Sequence, residues 1–233
     1  MTTIDSQLMT ADIRAERRFP ARRKIARLIV AAVATLAIAL LAPGLTPTRV
    51  QADTGNSPMV VAQTMVNSAL QVLANKSTTV QQRRRQLRQV VENEFDFTEM
   101  SRSALGYHWR SLTPDQRAQF TELFTAFIED AYLSKIQDYS GERVQFDGQT
   151  PLGQGYMQIN TDIIQPGKNP ITVNYLLLQK NDTWKIYDVT VDAISIIANY
   201  RNQFNRVIND RGFDQLMADL RAKQQELASL LGG

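Results

Sequence analysis

The stretch Trp184-Lys185-Ile186-Tyr187-Asp188-Val189-Thr190-Val191 runs directly into Asp192-Ala193-Ile194-Ser195-Ile196-Ile197-Ala198-Asn199-Tyr200-Arg201-Asn202-Gln203-Phe204, and its reading decides the fold. Trp184, Ile186, Val189 and Val191 make the first half β-prone, with a dense apolar run. Beyond it, Ile194, Ile197, Ala198, Arg201, Phe204 and Ile208 recur at helical spacing. The segment predicts a strand that turns directly into an amphipathic helix ending near Asn209.

Working back from Trp184, Asn181-Asp182 marks a tight turn, and Ile171 to Lys180 reads as the preceding strand. Pro166-Gly167-Lys168-Asn169 turns the chain again, with strands expected over Gly155–Gln165 and Arg143–Gln149. Links this short connect antiparallel neighbours, so the strands form a meander. Further back the period changes. Thr113-Pro114-Asp115-Gln116 is a capping box, followed by Phe120, Leu123, Phe124, Phe127, Ile128, Ala131, Tyr132 and Ile136 at helical spacing. This aromatic stripe serves either as core or as the lining of a ligand cavity. Asp96-Phe97-Thr98-Glu99 caps a shorter helix that Gly106 ends after Leu105. A helix starts near Ser77 with Val80, Leu87, Val90 and Val91 inward, and another starts at Ser57-Pro58 with Ala62, Met65, Val66, Ala69, Leu70 and Leu73. A last helix begins near Phe213 and carries Leu216, Met217, Leu220 and Leu227. Helices, then an antiparallel sheet, then helices make an α+β fold.

The first 52 residues have the order of parts of a secretory signal. A basic n-region (residues 1–27) holds Arg14, Arg17, Arg18, Arg22, Arg23, Lys24 and Arg27. The apolar h-region (residues 28–41) contains Thr35 as its only polar residue, and Val50-Gln51-Ala52 offers a cleavage site. The apolar run is shorter than the about 20 residues that span a bilayer, which favours cleavage after Ala52 over retention as an inner-membrane anchor. Met9 is an alternative start, and the arginine pairs leave a twin-arginine route open beside the general one. Residues 53–233 are then expected to form a single domain, exported to the periplasm. Residues 1–52 hold eight of the 26 Lys/Arg and three of the 23 Asp/Glu, leaving 18 basic against 20 acidic residues. The basic character of the whole chain thus belongs to the signal, and a nucleic-acid partner loses its electrostatic support. Arg83-Arg84-Arg85 with Arg88 remains as a local basic patch, either a solvated helix face or a contact for lipid headgroups or an acidic partner.

Catalytic and metal chemistry finds little footing. There is no cysteine, and His108 is the single histidine, so thiol nucleophiles, HExxH and multi-histidine metal sites are excluded. No G-x-S-x-G occurs, and Gly153-Gln154-Gly155 precedes a strand instead of opening a helix. Asp188 beside Tyr187 suggests an isomerase-like acid and base, but adjacent strand residues point to opposite faces. The reading is of a protein that is not an enzyme and takes no cofactor and no metal.

Four pieces of the chain together resemble the MlaC, or toluene-tolerance, family of periplasmic phospholipid-binding proteins. They are Phe95-Asp96-Phe97 leading to Ala104-Leu105-Gly106; Leu112 to Gln116 with Phe120 and Phe124; Pro170 to Leu178; and Trp184 to Phe204. The resemblance spans about Asn67 to Lys223. The family usually has Glu-Gly where this chain has Asp192-Ala193, and losing that glycine is expected to stiffen the corner. The resemblance implies a fold similar to the NTF2-like cone with extra helices. It further implies a lipid carrier whose cavity takes acyl chains, working with an inner-membrane MCE-type ABC transporter and an outer-membrane lipoprotein complex to maintain outer-membrane lipid asymmetry. Related members occur near hopanoid biosynthesis genes, so a hopanoid-related lipid is the alternative cargo. A membrane-anchored interaction protein and a small NTF2-like isomerase are the alternatives to the carrier. On the carrier reading, the expected lipid-binding residues are Met157, Ile159, Val173, Tyr175, Leu177, Trp184 and Ile186 on the sheet, roofed by Phe120, Phe124, Phe127 and Ile197.

Overall fold

The computed structural model describes residues 57–133 and 141–232; the expected signal at 1–52 and the stripe residue Ile136 lie outside them. Helix α1 (Pro58–Ala74) opens on Ser57, whose hydroxyl accepts the Val60 N–H at 3.2 Å, with proline in the first turn. It buries Ala62, Met65, Val66, Leu70 and Leu73, the apolar stripe read from the sequence.

Helix α2 (Val80–Glu94) begins later than the expected start near Ser77. Asn75 Oδ1 accepts both the N–H and the hydroxyl of Ser77, tying these residues into a turn. The operative cap is Thr79: its hydroxyl accepts the Gln82 N–H at 3.2 Å, and the Gln82 side chain accepts the Thr79 N–H at 2.9 Å. Val80, expected on the inner face, is 46% exposed, because the first turn of α2 extends past the apolar surface that buries Leu87.

Helix α3 (Phe97–Leu105) is capped by Asp96, which accepts the Glu99 N–H at 2.9 Å through one oxygen and Lys180 Nζ at 2.8 Å through the other. Burial alone raises this carboxyl, but Lys180 and the N–H donors outweigh it and hold its pKa below the ordinary value. At Gly106 (φ +56°) the chain passes into a 3-10 turn, Gly106–Ser111, with the Arg201 stem lying across the glycine. Helix α4 (Pro114–Leu133) starts on the expected Thr113/Gln116 capping box, closed in both directions at 3.2 and 2.9 Å.

The sheet comprises β1 (Arg143–Gly153), β2 (Tyr156–Ile164), β3 (Ile171–Lys180), β4 (Thr183–Val191) and β5 (Ile194–Ser195), in that spatial order. All neighbours are antiparallel. Strand β1 runs beyond its expected end at Gln149, since register shifts after Phe146 and Pro151 let this edge strand keep following β2. The corner after Val191 differs from the expected direct strand-to-helix turn. Asp192 (φ +48°) and Ala193 (φ +65°) form a two-residue hairpin turn, as Asn181 (φ +49°) and Asp182 (φ +59°) do between β3 and β4. The chain therefore folds back as β5, which carries Ile194, and α5 (Ile196–Arg211) begins two residues later than expected. Helix α6 (Phe213–Gly232) follows Gly212.

The six helices and five strands give the α+β class read from the sequence, with two apolar cores among the described residues. One lies between the sheet and α1, with Leu87 of α2. The other is helical, built by α3, α4, α5 and α6. Among the described residues no helix is long and apolar enough to cross a membrane.

Candidate functional site

The sheet face turned toward α1 is laid out in cross-strand rows. Met157, Leu177 and Ile186 stand in register, followed by Ile159, Tyr175 and Val189, then Thr161, Val173 and Val191, then Ile163 with Ile171. The β-branched and aromatic side chains suit this pleated surface. Thr161 and Tyr175 bring the hydroxyl groups of these rows, and that of Thr161 donates to the Val173 carbonyl, so it presents no free donor to the apolar interior. Burial pushes the Tyr175 phenol up from its ordinary value, as expected of a hydroxyl held in apolar surroundings.

A bulge at Tyr187 completes this face. Leu177 pairs with Ile186 and Leu176 with Asp188, so one residue of β4 is left over. Strict alternation from Trp184 would place Asp188 and Thr190 beside Ile186. The bulge instead brings Val189 and Val191 to that face and turns Asp188 toward the start of α5.

Seven of the eleven candidate residues therefore belong to one surface. Ile159, Val173, Tyr175, Leu177 and Ile186 are buried in the sheet-side core, and Met157 and Trp184 are half-buried at its margin. Phe120, Phe124, Phe127 and Ile197 lie instead in the helical core. Phe124 stacks on Phe120 and Phe127 and meets Tyr200 and Phe204 edge-on at 5.7 and 5.5 Å, so the aromatic stripe of α4 packs on α5. The expected roof over the sheet is thus corrected: α1 covers the rows, with Met65, Val66, Leu70 and Leu73 against them. The apolar period of α1 was plain in the sequence, but a helical period does not say which surface will cover the helix. The odd-numbered Val189 and Val191 after the even-numbered Ile186 were the available signal of a register break.

Both oxygens of Asp188 are engaged. Its Oδ1 accepts the N–H groups of Val189 (2.8 Å) and Ile197 (3.1 Å), and its Oδ2 accepts the Ser195 hydroxyl at 2.5 Å. Ser195 Oγ in turn accepts the Ala198 N–H at 2.8 Å. Burial nevertheless leaves the Asp188 carboxyl above its ordinary pKa, despite these donors and Arg201 nearby. Tyr187 points elsewhere, edge-on to Tyr156 at 5.8 Å. Among the described residues no group of His, Asp or Glu could hold a metal ion.

Comparison with known proteins bears on this site. The profile of the MlaC protein family matches residues 63–222. The chain is 25% identical over 181 residues to the intermembrane phospholipid transport system binding protein MlaC of Haemophilus influenzae (strain ATCC 51907 / DSM 11121 / KW20 / Rd), covering 74% of this chain and 83% of that one. Its fold is similar to that of the phospholipid-binding protein of Ralstonia solanacearum, solved in complex with a phospholipid. That match has a TM-score of 0.65 at 21% identity and covers 72% of this chain and 97% of the other. With its sheet, its flanking helices and most of its described length matched in this way, the chain belongs to the MlaC protein family.

Proposed function

We propose that this protein is a periplasmic phospholipid carrier that holds acyl chains between the β2–β4 face and α1. The observation that carries the reading is the set of apolar rows from Met157/Leu177/Ile186 to Ile163/Ile171, in which the Thr161 hydroxyl is internally bonded. A tail gains about 0.8 kcal/mol for each buried CH₂, in bilayer or protein alike. Two tails of about thirty carbons amount to roughly 25 kcal/mol gross, beyond what a few polar contacts supply. A carrier must therefore offer comparable apolar burial, so that lipid passes to and from it at nearly constant free energy. The solved relative with bound phospholipid and the transport role in the name of the Haemophilus relative favour this cargo.

On this reading residues 1–52 direct export and are removed, and residues 53–233 are the lipid-binding domain. The carrier exchanges lipid with an inner-membrane MCE-type ABC transporter and an outer-membrane lipoprotein complex, and so maintains outer-membrane lipid asymmetry. Catalysis has no part in the reading: both oxygens of Asp188, the carboxylate an isomerase would use, already accept hydrogen bonds, from Val189 and Ile197 on one and Ser195 on the other.

Native mass spectrometry of protein purified from periplasm without detergent tests the proposal. A diacyl lipid at near-unit stoichiometry is expected. A mass without lipid that persists after incubation with phospholipid vesicles would overturn it.

A further inference from the structure

Two hydroxyl groups stand in the rows between the sheet and α1, and their situations differ. That of Thr161 donates to the Val173 carbonyl. Tyr175, in the neighbouring row, is 4% exposed, and among the described residues its hydroxyl makes no hydrogen bond. Burial alone raises this phenol, with no hydrogen bond or charge contributing, so it stays a neutral donor. Its oxygen is not among the unpaired polar atoms that are closed to solvent, so a ligand group can reach it. Buried tyrosine hydroxyls ordinarily find a partner. This one lacks a partner within the protein.

Its place in the rows narrows what that partner is. Ile159 and Val189 flank Tyr175 across the strands, and the next row outward is Met157/Leu177/Ile186, where Met157 is half-buried at the margin. A row spans two residues of strand, which sets Tyr175 about 7 Å inside that margin. None of the row residues is charged, nor are Met65, Val66, Leu70 and Leu73 of α1 that cover them. A phosphate drawn in here would lose its hydration with no cation to offset the loss, so a headgroup stays outside. The first polar groups behind the phosphate of a diacyl lipid are ester carbonyls. They are neutral acceptors without a proton, the complement of a lone phenol.

We infer that the Tyr175 hydroxyl donates a hydrogen bond to an ester carbonyl of the bound glycerophospholipid and thereby fixes how deep its tails enter. The inference rests on the carrier reading above and adds a selectivity to it. An ether-linked lipid offers no carbonyl at this depth and leaves the phenol unpaired, so the protein discriminates between the two linkages. Thr161, one row deeper, cannot take over this role while its proton is held by the Val173 carbonyl.

The test is lipid uptake by the purified protein, stripped of lipid and incubated with vesicles of equal parts diester and diether phosphatidylcholine of matched chain length. Native mass spectrometry reads the two bound masses. The wild type is expected to hold the diester form in about three- to tenfold excess, and Tyr175→Phe to hold the two almost equally. Equal uptake by the wild type, or an unchanged preference in Tyr175→Phe, overturns the proposal and leaves the carrier reading standing. Uptake of neither lipid overturns both. Tyr175→Phe keeps the ring, so the thermal midpoint of the lipid-free variant should not fall. A fall would mean that the hydroxyl is paired inside the protein, which also overturns the proposal.

Discussion

Asp188 Oδ1 accepts the main-chain N–H of Ile197 at 3.1 Å, so a carboxylate on the last long strand secures the first turn of the helix beyond the hairpin. Together with the Asp188–Ser195–Ala198 chain of hydrogen bonds, it fixes the angle at which α5 leaves the sheet. Ile197 and Phe204 of α5 then reach the helical core, while Val189 and Val191 reach the other.

Asp188→Ala strands the N–H groups of Val189 and Ile197 and the Ser195 hydroxyl, and is expected to cost about 2–4 kcal/mol. Asp188→Asn keeps an acceptor for the N–H groups and a donor toward Ser195, and should cost less than half as much. Urea unfolding curves of the three proteins check the order. A larger loss for Asn than for Ala would remove the capping role.

Ala193 sits in the left-handed region at φ +65°, exposed in a turn whose geometry glycine adopts freely. Ala193→Gly relieves the Cβ clash and is expected to stabilise the protein by about 1 kcal/mol. The thermal midpoint should rise by several degrees, while bound lipid stays unchanged. A fall in midpoint would mean that the entropy glycine adds to the unfolded chain outweighs the relieved strain.

Stability should depend on pH through Glu129. Its folded-state pKa, raised from 4.5 to about 7, means that the native protein binds this proton more tightly than the unfolded chain. The resulting stabilisation is complete below 4.5 and is lost as pH rises through 7. Glu129→Gln, which leaves Arg88 paired with Asp130, should therefore flatten the profile between these limits and be the more stable protein at pH 8. Denaturant midpoints at pH 5 and pH 8 decide this; equal pH dependence in both proteins would exclude Glu129 as its source.

Lipid retention should separate the two cores. Met157→Asp and Trp184→Asp, at the half-buried margin of the sheet face, are expected to lower lipid stoichiometry at least twofold while the protein stays folded. Phe124→Asp places a charge among Phe120, Phe127, Tyr200 and Phe204 and should unfold the helical core, by about 3–5 kcal/mol from lost packing alone. Native mass spectrometry combined with circular dichroism distinguishes these outcomes. Full lipid occupancy in folded Met157→Asp and Trp184→Asp would move the tails away from this margin.

Much of the fold was legible because local rules governed it. The Thr113/Gln116 box and the Asp96 cap use side-chain bonds between residues three apart, the Asn181-Asp182 turn uses two adjacent residues in the left-handed region, and each lies where the sequence placed it. The stripe from Ala62 to Leu73 and the apolar residues of β3 likewise followed from period alone. Where two local readings competed, the weaker-looking one sometimes prevailed: Asn75 drew Ser77 into a turn, leaving Thr79 to cap α2.

The sequence by itself determined the classes of element, their order, the absence of thiol and multi-histidine chemistry, and the family. These depend on residue types and spacings within a few turns of chain. The tertiary structure alone decided that α1 covers the β2–β4 rows and that α4 stacks on α5. It also decided that a bulge at Tyr187 sends Asp188 to the helix and that Glu129 is buried half-paired beside Arg88. The physical reason is that an apolar stripe is complementary to any apolar surface. Its partner is chosen by the packing of the whole chain, and buried charge acquires its character only from neighbours distant in sequence, as Arg88 is from Glu129.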